Sequence, residues 1–403
     1  MQDAVVVGAG HAGLSISRAL ANRGIEHVVL ERDRVAQTWR SRWDSFCLVT
    51  PNWFIALTDV GYDDAEPDGF MPRDEIVSFL ERYAETAPVR EGVEVTGASA
   101  IEDGFALDTS DGEIRTRALI AATGAYQRPY IPSEMGSLPA DLELLDATTY
   151  RRPSDLPDGG VLIIGSGQTG VQLAEELHDD GRDVVLACGA APWTPRRFGG
   201  HDTVWWMEEI KFFDHRLADL PDPALRLASN PLTTGHGGGR DLHYRTLQAS
   251  GVTLAGRFLG ADGDDIVFAD DLAQSVAWGD ARFDQQMESC RKLIAERGLD
   301  IELPTYEPFV ADAPTSIAAD RFSTVLLTGG FRPAYGDWLP WPDAFDELGF
   351  PLQVDGESTA VAGLYFMGVH FLRKRKSGIL WGAAEDANAV ADRVATRLGA
   401  PAS

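Results

Sequence analysis

Glycines at fixed spacing are the residues of this chain best arranged for chemistry. Gly8-x-Gly10-x-x-Gly13 follows the apolar run 4–7, and Gly165-x-Gly167-x-x-Gly170 follows the apolar run 161–164. In such a turn the first glycine permits a tight strand-to-helix reversal, and the second lets backbone approach a pyrophosphate. The third lets helix and strand pack closely. The helix N-terminus then presents free N–H groups and a partial positive charge to the phosphates. One such pattern is weak, because glycine turns are common. Two in 403 residues point to two dinucleotides and electron transfer between them.

The two units differ beyond their glycine turns. The first runs along an amphipathic stretch, 14–23, through Gly24 into a second apolar strand, 25–30, that ends on Glu31. A carboxylate there accepts hydrogen bonds from ribose hydroxyls, so this unit is expected to hold an adenine dinucleotide. The second unit ends its strand on Cys188, Gly189 and Ala190, with no carboxylate to repel a 2′-phosphate. Arg196 and Arg197 come shortly after and are placed to pair with one, which favours NADPH over NADH. The alternative for that arginine pair is a solvated turn beside Pro195.

Composition narrows the partners. A 403-residue chain with 44% apolar content buries enough to form two or three domains. No apolar run is long enough to span a bilayer, and the N-terminal run is broken by fingerprint glycines, unlike a signal peptide. Cys47, Cys188 and Cys290 are odd in number and widely spaced, which fits a reducing cytoplasm. They supply no C-x-x-C or C-x4-C pair, so a flavoprotein disulfide reductase is disfavoured. His201, His236 and His243 lack ligand spacing, and no metal is assigned. A net charge of −27, from 62 acidic and 35 basic residues, argues against nucleic acid and against an anionic membrane surface.

The elements that must position these residues read as α/β. Residues 1–153 form the first dinucleotide unit, with a surface loop over 59–69, helical spacing over 74–87 and alternating strands over 93–119. Residues 154–317 carry the second unit and a helical insert. The apolar strand 324–327 runs into a glycine turn as 119–124 does, so the chain re-enters the first unit over 318–403 and closes on a helix, 383–398. The expected architecture is two nested, Rossmann-like three-layer domains, the first discontinuous.

Several further motifs give the chain a family likeness. They are Trp39-Arg40-Ser41-Arg42-Trp43-Asp44-Ser45 leading to Thr50-Pro51-Asn52, then Ala122-Thr123-Gly124, Tyr150-Arg151-Arg152-Pro153, and Lys374-Arg375-Lys376-Ser377-Gly378 leading to Glu385-Asp386-Ala387. With the two fingerprints, nearly the whole chain resembles the class B, two-dinucleotide flavin monooxygenases. Within them it is most similar to bacterial CzcO-like flavoproteins and to the plant auxin-forming enzymes.

That resemblance implies FAD on the first fingerprint and NADPH on the second. For FAD it carries over Glu31, Arg32, Trp39, Arg40, Thr123, Gly124, Gly378, Ile379 and Leu380, with the Ser377-Gly378 turn letting backbone N–H groups reach the pyrimidine carbonyls. For NADPH it carries over Gln168, Thr169, Arg196 and Arg197. It implies hydride transfer to FAD, a C4a-peroxyflavin, and delivery of one oxygen atom to a small-molecule substrate, with Asn52 facing the C4a edge. An Asn after Pro51 is otherwise a common turn residue. Relatives often pair, so a homodimer stays open.

Three departures temper the likeness. Asp146 stands where the linker motif has histidine, Leu327-Thr328-Gly329-Gly330-Phe331 replaces an A-T-G-[YF] run, and Ala190 takes the place of an arginine for the 2′-phosphate. They favour N- or S-oxygenation over Baeyer–Villiger chemistry. They also keep two alternatives in view: a flavin oxidase or dehydrogenase with a degenerate NADPH site, and a non-catalytic redox-sensing flavoprotein. Aromatic surface at Trp205, Trp206, Phe212, Phe213, Trp338 and Trp341 suits an apolar or ring-bearing substrate, though such residues are as often core. The basic run 373–376 is open between a solvated loop, a phosphate clamp and a flavin contact. His236, in a glycine-rich loop, is a candidate for closing over a site.

Overall fold

Two parallel sheets organise the computed structural model, which describes residues 1–399. In the first, Gln2–Val7 lies at the centre, between His27–Glu31 and Gly112–Ala121. Val89–Glu91 extends the sheet on one side and Leu364–Phe366 on the other, all parallel. An antiparallel meander, Val95–Ile101 and Gly104–Thr109, is attached to Gly112–Ala121. The parallel strands are continuous apolar runs because both faces are covered. On one face the helices His11–Asn22 and Ala383–Leu398 pack through Leu14, Ile16, Ala19, Val390 and Val394. On the other, Val5, Val7, Leu119 and Ala121 meet Tyr335, Leu339 and Phe350.

The second sheet runs Glu143–Asp146, Phe322–Leu327, Gly160–Ile164, Val184–Ala187, Thr253–Ala255, again all parallel. The 26-residue helix Leu272–Arg297 covers one face through Leu272, Val276 and Phe283. Two expected boundaries therefore move. Strand Phe322–Leu327 does not belong to the first unit, and Glu143–Asp146, expected as linker, is an edge strand. The second sheet spans 143–327 where 154–317 was expected. The two connecting segments pair with each other, Arg128–Pro129 against Phe331–Arg332. No described helix is long and apolar enough to cross a membrane.

Candidate functional site

Both fingerprints sit at the C-terminal ends of parallel strands, where open α/β sheets bind ligands. Gly8 has φ +106°, and a Cβ on it would lie 2.7 Å from the Ala122 carbonyl oxygen; a Cβ on Gly13 would overlap the Gly8 carbonyl. Gly10 has nothing within 4 Å of a Cβ position. The first and third glycines are thus required by protein contacts, while the second faces open space, as a pyrophosphate cradle demands. Glu31 closes its strand with Oε2 accepting from the Ala9 N–H at 2.8 Å and Oε1 from the Asp33 N–H at 3.0 Å. Its carboxylate therefore lies within the turn it was expected to serve.

The neighbouring expectations divide. Arg32 is largely exposed and, among the described residues, pairs with Asp33. Arg40 bonds the Val35 carbonyl at 3.0 Å and Glu81, so it stabilises the wall of the cradle. Trp39 stands edge-on to His11, the first residue of the fingerprint helix, at 6.1 Å. His11 has a buried Nε2 with no hydrogen-bond partner among the described residues, and burial lowers its pKa to about 4, which keeps the ring neutral. Sequence reasoning passed over it, although its place between the second and third glycines was the signal.

Asn52 is buried and fixes the 66–71 segment from both ends of its amide. Its Nδ2 donates to the Glu66 carbonyl at 2.9 Å, and its Oδ1 accepts from the Met71 N–H at 2.8 Å. One Nδ2 hydrogen remains for another acceptor. Thr123 and Gly124 form the turn after Gly112–Ala121, held by Gln127 and by the Tyr335 hydroxyl at 2.9 Å from the Gly124 carbonyl. Gly378 is packed so closely on His370 that a Cβ would come within 2.8 Å of its backbone nitrogen. The Ile379 N–H is given to Lys376 at 3.0 Å, so it is not free for a pyrimidine carbonyl, and Leu380 accepts from Ala56 at 3.2 Å.

The second cradle shares the enforced first and third glycines, while a Cβ on its second, Gly167, would lie 3.6 Å from Ser229. Gly165 has φ +108° and approaches Thr328, and Gly170 lies on the Gly165 carbonyl. Where a ribose-binding carboxylate would stand, a hydroxyl network is found instead. Ser166 Oγ accepts from the Gly189 N–H at 2.9 Å and meets the Tyr244 hydroxyl at 2.5 Å. Tyr244 had no sequence signal, being 78 residues from Ser166. Gln168 is tied at both ends of its amide to Thr233, which orients the start of the helix Gln168–Asp179. Thr169 lies half-buried beside it in the first turn.

The arginine pair splits. Arg196 is buried, bidentate to Asp202, and donates to the Val49 carbonyl at 2.8 Å. It joins the two units, and with its guanidinium buried and bidentate on Asp202 it is not presented to a phosphate, which corrects its expected role. Arg197 is exposed, and among the described residues it donates to the carbonyls of Gly238 and Gly239, at 3.0 and 3.1 Å. His236 belongs to this same loop, which packs against Leu48 and Phe70 of the first unit through Gly235 and Gly239. Asp146 does local work too, its Oδ1 accepting from Thr148 and so turning the chain after its strand.

All three cysteines are free and buried. Burial pushes the Cys47 thiol up to about 11 and Cys290 up to about 12, so neither is an attacking thiolate at neutral pH.

Known proteins share this geometry. A family model described as pyridine nucleotide-disulphide oxidoreductase matches residues 5–206, the first fingerprint through the second. The chain belongs to this family. Membership of the pyridine nucleotide-disulphide oxidoreductases here means the dinucleotide frame, since the cysteines are spaced too far apart along the chain for a C-x-x-C or C-x4-C pair. An uncharacterised CzcO-like oxidoreductase of Geobacillus kaustophilus is 27% identical over 389 residues, covering 96% of each chain. A probable indole-3-pyruvate monooxygenase of Arabidopsis thaliana is 25% identical, covering 96% of this chain and 90% of the plant protein. A flavin-containing monooxygenase from Stenotrophomonas maltophilia superposes with a TM-score of 0.68 at 20% identity, over 98% and 99% of the two chains. The likeness carried by the motifs is borne out: this family member is an oxidoreductase, and its two cradles fit FAD and NADPH.

Proposed function

We propose that this oxidoreductase is an NADPH-dependent FAD monooxygenase acting on a small apolar or aromatic substrate, with N- or S-oxygenation favoured over Baeyer–Villiger chemistry. The observation that carries this reading is the pair of sterically enforced glycine cradles in a chain without a cysteine pair. NADPH, a proton, O2 and the substrate would then give NADP⁺, the substrate carrying one oxygen atom, and one water. FAD held on the Gly8-x-Gly10-x-x-Gly13 turn would supply hydride acceptance and oxygen activation.

The chain's own residues supply positioning and exclusion of water. Asn52 offers its remaining amide hydrogen at the reacting edge. Directly after it, Trp53 and Phe54 meet Trp381 and the insert residue Phe213, with Phe54 stacked on Trp381 at 4.6 Å and 4.7 Å from Phe213. This cluster closes the join between the first unit and the insert against solvent. On the second cradle, the absence of a ribose carboxylate and the exposed Arg197 favour the 2′-phosphate of NADPH. The unpaired thiols suit a reducing, cytoplasmic setting.

Anaerobic stopped-flow mixing with NADPH, then with oxygen, tests the proposal. NADPH should bleach the flavin faster than NADH, and oxygen should give a transient distinct from both reduced and oxidised flavin. Reduction by neither nucleotide would transfer support to the oxidase or redox-sensing readings.

A further inference from the structure

One aromatic side chain of the first unit is held by the backbone of the second. Phe70 follows an exposed acidic loop, 63–68, yet is itself half-buried. A Cβ on Gly235 would lie 2.7 Å from Phe70 Cγ, and one on Gly239 would lie 2.7 Å from Phe70 Cε2. A side chain at either position would press on the ring, so this glycine pair is what admits it. The loop that bears them is closed at its base, where Thr234 and Arg240 exchange backbone hydrogen bonds at 3.3 Å. Arg196 and Arg197 complete the socket, their guanidinium carbons 4.7 and 5.9 Å from the ring centroid.

Both chain neighbours of Phe70 are bonded to Asn52. The Asn52 N–H donates to the Gly69 carbonyl at 2.9 Å, and the Met71 N–H donates to Asn52 Oδ1 at 2.8 Å. Displacing Phe70 therefore displaces the Asn52 amide. The socket in turn is held by Arg197, which donates to the carbonyls of Gly238 and Gly239. A guanidinium carries more N–H donors than two carbonyls use, so Arg197 can hold the socket and take a phosphate as well. Its side chain is exposed, and a phosphate would fix it in the geometry that grips the ring.

We propose that Phe70 is a positioning residue that couples the 2′-phosphate of NADPH to Asn52, so that NADPH, and not NADH, sets the amide at the reacting edge. The path is short: phosphate, Arg197, the Gly238 and Gly239 carbonyls, the Phe70 ring, then Asn52. A phenyl ring suits it because its face attracts both guanidinium groups, an attraction that an aliphatic side chain filling the same socket lacks. This inference rests on the reading of Arg197 as the 2′-phosphate contact.

Hydrogen–deuterium exchange of the oxidised, FAD-loaded protein with saturating NADP⁺ or NAD⁺ tests the coupling, read at the Met71 amide, whose N–H is the one bonded to Asn52. NADP⁺ should slow its exchange at least about five-fold more than NAD⁺, the lower end of couplings between sites. Phe70→Leu should erase that difference while both nucleotides still bind. Linkage requires the reverse effect too, so the same variant should weaken NADP⁺ and leave NAD⁺ unchanged. A merely structural role for Phe70 would speed exchange with either nucleotide and leave the difference intact. That result, or equal Met71 exchange in wild type, would overturn the proposal. Should Phe70→Leu fail to fold, Phe70→Met takes its place, and the wild-type comparison decides without either. Equal wild-type affinity for the two nucleotides would sink the Arg197 reading and the coupling together. A preference for NADP⁺ that Arg197→Ala loses and Phe70→Leu keeps would sink the coupling alone.

Discussion

Gly10 and Gly13 stand three residues apart and answer to different constraints, which makes them separable by mutation. A Cβ on Gly13 would overlap the Gly8 carbonyl, whereas one on Gly10 meets nothing in the protein. Gly10→Ala is therefore expected to fold with a melting temperature near wild type yet to hold FAD at least about ten-fold more weakly, since the added methyl occupies the pyrophosphate approach. Gly13→Ala should lose stability and FAD together. Fluorescence titration of FAD beside thermal unfolding of the apoprotein distinguishes them, and undiminished FAD affinity in Gly10→Ala would count against the cradle. The arginine pair gives a second contrast. Arg196→Ala strands Asp202, whose side chain is 9% exposed, and should cost about 3–5 kcal/mol in urea unfolding. Arg197→Ala should change stability by less than about 0.5 kcal/mol but raise KM for NADPH and not for NADH. Equal effects on the two nucleotides would remove Arg197 from the 2′-phosphate.

At the level of elements, the helix Ala383–Leu398 carries a titrating group in its first turn. Asp386 is 2% exposed, and burial raises its carboxyl to about 6, against the opposing influence of Ser377 and Arg373 and with reinforcement from Glu385. The folded state thus holds this proton more tightly than the unfolded chain. The stabilisation is present in acid and is lost as pH rises through about 6. Between pH 5 and 7.5 this one group should remove roughly 1 kcal/mol of stability, a slope missing from Asp386→Asn measured in parallel by urea unfolding. Identical slopes would place the carboxyl's proton elsewhere. This helix was legible to the residue from its apolar spacing, and both fingerprint units were legible as elements though not to the residue, because their signals are local: a strand, three glycines and a 3.6-residue period. The edge strand Glu143–Asp146 was not. It has four residues, and its partner Phe322–Leu327 lies far along the chain, so nothing nearby marks it. For the same reason Glu31 was found and Tyr244 was missed, and Arg196 was misassigned because a hairpin turns Asp202 onto it and Val49 reaches it only through the fold.

Across the whole molecule, charge and docking act against each other. The two units are held by a few specific contacts, among them Arg196 to Val49, and by Asp214 of the insert bridging Lys374 and Lys376. Over these lies the self-repulsion of a net −27, which disfavours any compact state at low ionic strength. Salt weakens both effects, but unequally. The Lys376 side chain is 12% exposed and Asp214 31%, so this junction is screened less than the exposed carboxylates around it. Raising sodium chloride from about 0.02 to 0.5 M should therefore raise the melting temperature. Most of the rise should be complete by about 0.1 M, where the Debye length has fallen to about 10 Å. A rise that instead continued in proportion to salt into the molar range would indicate strengthened apolar burial rather than relieved repulsion. A fall would mean that the ion pairs between the units outweigh the net charge. Asp214→Asn separates these further: it removes one negative charge and both lysine bridges, so its melting temperature should lie below wild type at every salt concentration, with the same early rise.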